Sequence, residues 1–238
     1  MKLACLKRVL LVLLLLVSVC TSAVLVEGKK EEEVGLLVIE FLEKEGKLKP
    51  ELAYAIPPTD DSMTNLHYVL LSFTRRGQGA AGYWVNPSNK YGFSSSQVVN
   101  AITSSANTWD AETAATVFSY SGVTNLQAGR RDLKNVVSFG KYRAGAIAVT
   151  YIWYAGSVII ETDTILNTVY KWSLSGEAGK MDVQDIMTHE YGHWFGLADL
   201  YSDADYWLTM YGYAGYGETY KRTLGQGDIN GLESIYGP

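Results

Sequence analysis

Cysteine is nearly absent from this chain. There are two in 238 residues, Cys5 and Cys20, and both fall within the first 23. If that stretch is removed, the mature chain has neither a disulfide nor a thiol, so its stability must come from packing and from bound metal. Basic residues are also few: 20 Lys and Arg against 25 Asp and Glu give a formal charge of −5. Losing Lys2, Lys7 and Arg8 with the leader would move that charge three units further negative. Nucleic acid is therefore excluded as an expected partner, because phosphate recognition needs clustered Lys and Arg. Histidine is rarer still, with three in the chain. What the chain does have is 47% hydrophobic content, enough for one substantial core.

Residues 1–23 read as a cleaved export signal. A basic start is followed by an apolar run from Val9 to Val19 and then by the small residues Thr21, Ser22 and Ala23. A secreted, extracellular monomer without stable membrane association is the expectation. Counting the apolar run on to Val26 reaches a borderline length for a span, so a retained leader acting as a membrane anchor is the alternative. Val19 before Cys20 is a poor fit to a lipid-attachment site.

Residues 24–52 are charge-rich and predict a short amphipathic helix closing near Gly46, either a propeptide or an N-terminal extension. No cysteine lies in this segment, so silencing of a metal by a thiolate is excluded; Asp60 or Asp61 is left as a candidate inhibitory carboxylate. Residues 53–238 should hold the main domain. His67–Phe73 reads as a strand, with His67 at its surface. Ser94 offers an N-cap to a helix carrying Val98, Ala101, Ile102, Ala106 and Trp109 at helical spacing. Strands follow at Ala115–Tyr120 and Val136–Phe139. Ala144–Tyr154 and Val158–Leu166 are separated by Ala155-Gly156-Ser157, which suits an antiparallel hairpin. Asp182 caps a helix whose Val183, Ile186 and Met187 are buried, and Asp228 caps the last helix.

The chemistry is concentrated in His189-Glu190-Tyr191-Gly192-His193-Trp194-Phe195-Gly196-Leu197-Ala198-Asp199. On a helix, His189 and His193 stand one turn apart on one face and can reach one metal ion. Glu190 is displaced around the helix, which suits a general base acting on water. Gly196 can adopt the left-handed conformation that ends a helix and turns the chain back, bringing Asp199 in as a third, oxygen ligand. Three protein ligands with an open fourth position describe a catalytic zinc site.

This motif resembles that of the metzincin clan of zinc peptidases, His-Glu-x-x-His-x-x-Gly-x-x-His followed by a Met-turn. Asp199 stands where the third histidine usually does, as in snapalysin-like members. Met210, within Leu208–Tyr213, is the Met-turn candidate and would form an apolar floor under the metal without ligating it. The runs Val98–Trp109 and Leu224–Gly237 are similar to the first and last helices of matrixin-type domains. The resemblance implies an α+β fold: a twisted mixed sheet with an edge strand over the cleft, an active-site helix, a Met-turn and a C-terminal helix. In that arrangement Gly145–Thr150 would be the edge, and a polypeptide substrate would lie along it as an added strand. The implied activity is that of an endopeptidase with one zinc; a zinc amidase or esterase on small substrates, or an inactive metal-binding relative, is the alternative. Tyr211 and Tyr213 are candidates to reach the metal or an oxyanion. Asp203 and Asp205 are alternative oxygen ligands, and Glu161 and Asp163 would either join a calcium site or face solvent. A carboxylate ligand lowers the net site charge and raises the pKa of bound water relative to three histidines. Asp199→His is therefore expected to move the pH–rate profile toward acid, and an unmoved profile would refute that role.

Overall fold

The computed structural model describes residues 33–44 and 64–238. The leader, both cysteines, Asp60 and Asp61 lie outside the described residues. The main strands are β1 (Val34–Glu43), β2 (Ala81–Asn86), β3 (Phe118–Val123), β4 (Asn135–Gly140), β5 (Ala146–Ala155) and β6 (Val158–Asn167). Three two-residue strands follow, β7 (Trp172–Ser173), β8 (Met181–Asp182) and β9 (Tyr213–Ala214). The α-helices among the described residues are α1 (Ser95–Asp110), α2 (Val183–Phe195) and α3 (Gln226–Tyr236). None is long and apolar enough to cross a membrane.

The sheet has the order β3-β2-β4-β6-β5-β1-β9. The pairs β2–β3, β2–β4 and β4–β6 are parallel, whereas β5 is antiparallel to β6. The expected α+β domain with a mixed sheet is what forms. The hairpin joining β5 to β6 forms as read, with Ala155 paired to Val158 across the turn. β2 was not anticipated, yet it pairs with strands on both sides, and Tyr83 and Val85 point into the core. His67–Phe73 is not a strand. It runs as irregular chain with a single bridge from Leu70 to Leu197, and a further bridge joins Thr74 to Val158. Its backbone bonds instead to the chain just after α2, the Leu71 amide donating to the Gly196 carbonyl and Val69 accepting from Ala198, while Phe73 packs on Ile152 and Ile159.

The core joins the sheet to all three helices. Val85, Val137, Ile147 and Leu166 pack with Ile102 and Trp109 of α1, Ile186 and Trp194 of α2, and Leu232 of α3. Ser94 caps α1 through a reciprocal pair of hydrogen bonds with Gln97. The Trp109 indole donates to the Thr188 carbonyl at 2.8 Å and ties α1 to α2. Glu161 and Asp163 are buried rather than solvent-facing. Asp163 accepts from the backbone amides of Gly129, Arg130 and Val136, and Glu161 from those of Asp132 and Leu133. Both carboxylates thus hold the loop before β4.

The largest departure lies at the N-terminal side. Residues 34–43 form a strand rather than a helix, paired antiparallel to β5 from Val34↔Ala155 to Leu42↔Ala146. At its end the strand pairs parallel to β9, Leu42 with Tyr213 and Glu43 with Ala214. β5 therefore does not end the sheet, and the edge expected to be open carries β1. The physical reason is local. Val34, Val38, Ile39 and Phe41 favour a pleated strand, and the outer amides and carbonyls of β5 offer them a ladder that an isolated helix cannot match.

Candidate metal centre

Asp182 starts α2 by accepting from the Asp185 amide at 3.0 Å, and its carboxylate also pairs with Arg222. The helix is buried along almost its whole length, so His189, Glu190 and His193 are all fully shielded from solvent. α2 ends at Gly196, whose φ of 119° and ψ of 19° place it in the left-handed region. A side chain here would also be crowded, since a Cβ would lie 2.9 Å from the Phe73 carbonyl oxygen. The chain then turns back. The amides of Leu197 and Ala198 donate to the carbonyls of Gly192 and Val69, and Leu200 exchanges backbone hydrogen bonds with Met210 and Gly212. This path delivers Asp199 to the two histidines.

The Nε2 atoms of His189 and His193 are 3.1 Å apart, and Asp199 Oδ1 lies 3.1 Å and 3.5 Å from them. Ligands about 2.0–2.2 Å from a tetrahedral zinc ion sit about 3.3–3.6 Å from one another, so a donor set at 3.1–3.5 Å needs only a slight opening to fit one ion. Each ring is oriented from behind. His189 Nδ1 donates to the Thr209 carbonyl at 2.7 Å, and His193 Nδ1 to the Leu197 carbonyl at 2.8 Å. With Nδ1 bonded to a carbonyl, Nε2 of each ring faces inward and offers its lone pair whenever the ring is neutral. Three electron-rich atoms then converge in a buried space, and a positive charge is required between them. Among the described residues these three are the grouping that can hold a metal ion.

Burial lowers the His189 pKa to about 4. Burial acts the same way on His193, but the charges of Asp199 and Glu190 outweigh it and raise that ring to about 9. Burial would raise Asp199, yet its two histidine partners hold it well below the usual carboxylate range. Burial pushes the Glu190 carboxyl up to about 7, against the His193 charge and a hydrogen bond from Thr150.

Glu190 is aimed by a relay that the sequence reading missed. The Trp194 indole donates to Thr164 Oγ1 at 2.8 Å, the hydroxyls of Thr164 and Thr150 are 2.6 Å apart, and Thr150 donates to Glu190 Oε2. Thr150 and Thr164 are direct cross-strand partners on β5 and β6. The other carboxylate oxygen, Oε1, is buried without a partner and is free to accept a proton. No local sequence signal marks these threonines, because only strand register brings them to α2.

Met210 is buried beneath α2, close enough that a Cβ on Gly192 would overlap its sulfur. Gly192 is thus the residue that lets the Met-turn approach the helix. The turn is held by Asp228, whose carboxylate accepts from the amides of Thr209, Met210 and Gly225. Gly225, rather than Asp228, is the N-cap of α3, and Asp228 reaches back from the first turn. Through Thr209 the same carboxylate supports the carbonyl that orients His189.

The remaining candidates fall elsewhere. Tyr211 accepts from Lys44 Nζ at 2.7 Å, and Tyr213 packs edge-on against Tyr201 and Tyr211. Tyr201, not singled out from sequence, donates to Asp199 Oδ2 at 3.0 Å. Asp205 pairs with His67 and Asn65, and Asp203 is exposed.

A family model described as Matrixin, a peptidase family, matches residues 80–237, about two thirds of the chain. Comparison with curated proteins finds no match.

Gly196→Ala should destabilise the fold by about 1–2 kcal/mol from the left-handed backbone alone, with crowding adding to it; urea denaturation will measure this. Thr150→Val should leave zinc content intact and lower kcat by about tenfold or more, read by metal analysis alongside steady-state kinetics. Loss of zinc in that variant would instead make Thr150 part of the metal support.

Proposed function

The chain belongs to the matrixin family of peptidases, and on that premise we propose that it is a secreted zinc endopeptidase with His189, His193 and Asp199 as ligands. The observation that carries this reading is the convergence of the three donor atoms beside a buried carboxylate with one oxygen free. Zinc, when bound, supplies Lewis acidity that lowers the pKa of water and polarises a carbonyl. The protein's own groups do the rest. Glu190 Oε1 accepts the proton of the attacking water and passes it to the leaving amine. The Trp194–Thr164–Thr150 relay keeps Oε2 occupied, so that the free oxygen is the one facing the reaction. Tyr201 holds the outer oxygen of Asp199 and leaves Oδ1 for the metal. Substrate polypeptides bind in extended form along the outer side of β5, a position held by β1 in this structure.

Zinc content and casein hydrolysis measured on wild type and Glu190→Ala test this directly. The comparison is made on the full chain and on one freed of its N-terminal segment. Both proteins should hold one zinc, while Glu190→Ala loses hydrolysis by about 10²–10⁴-fold. A zinc-loaded wild type that leaves casein intact in both forms would overturn the assignment.

A further inference from the structure

α2 ends on two carbonyls that a distant arginine takes up. In its last turn the Gly192 and His193 carbonyls accept from the amides of Leu197 and Gly196. Those of Trp194 and Phe195 have no acceptor role left within the helix, as is general for a C-terminus. Arg75, 119 residues from Trp194 in sequence, meets both. Its Nε donates to the Trp194 carbonyl at 2.8 Å, and its amide to the Phe195 carbonyl at 3.1 Å. A cation at this place also suits the negative end of the helix dipole.

The same guanidinium reaches the sheet. Nη2 donates to Thr162 Oγ1 on β6 at 3.2 Å and to Asn135 Oδ1 at the start of β4 at 3.3 Å, and Nη1 donates to Gln78 Oε1 at 3.4 Å. Asn135 in turn accepts from the Thr162 amide and donates to the Gly82 carbonyl on β2. Arg75 is 5% exposed, and every acceptor on its guanidinium is neutral. A cation buried without a carboxylate is costly, and burial lowers its pKa to about 10. What the side chain supplies in return is a planar fork that spans helix end and sheet in one fixed geometry.

Thr162 and Thr164 are two residues apart on β6 and so share a face of the strand. Trp194 is therefore gripped at both ends from that face: its carbonyl through Arg75 by Thr162, and its indole directly by Thr164. Glu190 lies one turn earlier on the same face of α2 and is tied back to Thr164 through Thr150. Two rings of hydrogen bonds share the Trp194–Thr164 edge, one passing through Arg75 and the other through Glu190. Arg75 lies outside the matched residues 80–237, and its guanidinium bonds neither Glu190 nor a metal donor.

We propose that Arg75 is a positioning residue for Glu190, a clamp that fixes Trp194 against β6 and, through Thr164 and Thr150, the direction of the carboxylate. The consequence for Glu190 rests on the peptidase reading, whereas the clamp on Trp194 does not.

The test compares the zinc-loaded full chain with Arg75→Lys, which keeps the charge and loses the fork. Exchange of indole N–H for deuterium is followed by heteronuclear NMR. Trp194→Phe assigns the Trp194 signal, and Trp109→Phe assigns that of Trp109, whose indole bonds Thr188 away from the clamp. In Arg75→Lys the Trp194 indole should exchange at least about tenfold faster while Trp109 is unchanged. In the form that hydrolyses casein, full chain or cut, kcat should fall about tenfold with KM within about twofold of wild type. Arg75→Lys combined with Trp194→Phe should lose no more than Trp194→Phe alone, because both act through one path. Equal acceleration at both indoles, or none at Trp194, would overturn the proposal. So would an unchanged kcat, or losses that multiply in the double variant. Thr162→Val, which removes one acceptor and keeps the side-chain shape, should also speed exchange at Trp194 and leave Trp109 unchanged. That variant decides the matter if Arg75→Lys does not fold, and no selective effect in it would overturn the clamp. Selective exchange with no hydrolysis in any form, wild type included, would uphold the clamp and refute the peptidase reading.

Discussion

Everything at the centre of this molecule depends on two histidine rings held from behind by backbone carbonyls. The bonds from His189 to Thr209 and from His193 to Leu197 decide which nitrogen of each ring faces inward. Once both Nε2 atoms and Asp199 Oδ1 converge, a buried cluster of lone pairs exists that only a cation or a shared proton can satisfy. The surrounding structure can be understood as what keeps those two carbonyls in place. Leu197 is placed by the left-handed Gly196, and Thr209 by the carboxylate of Asp228 from the start of α3. Helix end, Met-turn and C-terminal helix therefore act as one support.

That dependence bears on stability in a chain whose described part has no cysteine. Buried carboxylates take the role that cross-links play elsewhere, each gathering several backbone amides. Asp163 and Glu161 hold the loop before β4, Asp182 caps α2 and pairs with Arg222, and Asp228 holds the Met-turn. Each such group is costly to bury and more costly to leave unpaired, so these loops have few alternative arrangements. Of these, Asp182 at the start of α2 and Asp228 at Thr209 and Met210 hold the segments that carry or orient the candidate donors.

Much of the site was legible because its information is local. Helical periodicity puts His189 and His193 on one face, and a glycine three residues on can only mean a turn if the chain is to bring Asp199 back. The helix from Ser95, capped by Ser94, and the β5–β6 hairpin are equally local and formed as expected. Failures came where pairing across distance outweighs local pattern. His67–Phe73 alternates like a strand but finds no ladder partner. Ala81–Asn86 carries a weak pattern yet sits between two parallel neighbours. Val34–Glu43 reads as an amphipathic helix until the free side of β5 is available to it.

The sequence by itself determined the chemistry on offer: two imidazoles at one-turn spacing, a carboxylate beside them, a second carboxylate after a glycine, and a methionine further on. Residue type and helical spacing suffice for that, because both are properties of a few consecutive residues. Tertiary structure alone decided which threonines aim Glu190, which tyrosine holds Asp199, and which strand covers the outer side of β5. Those choices depend on strand register and on chain segments more than a hundred residues apart, and no local pattern encodes either one.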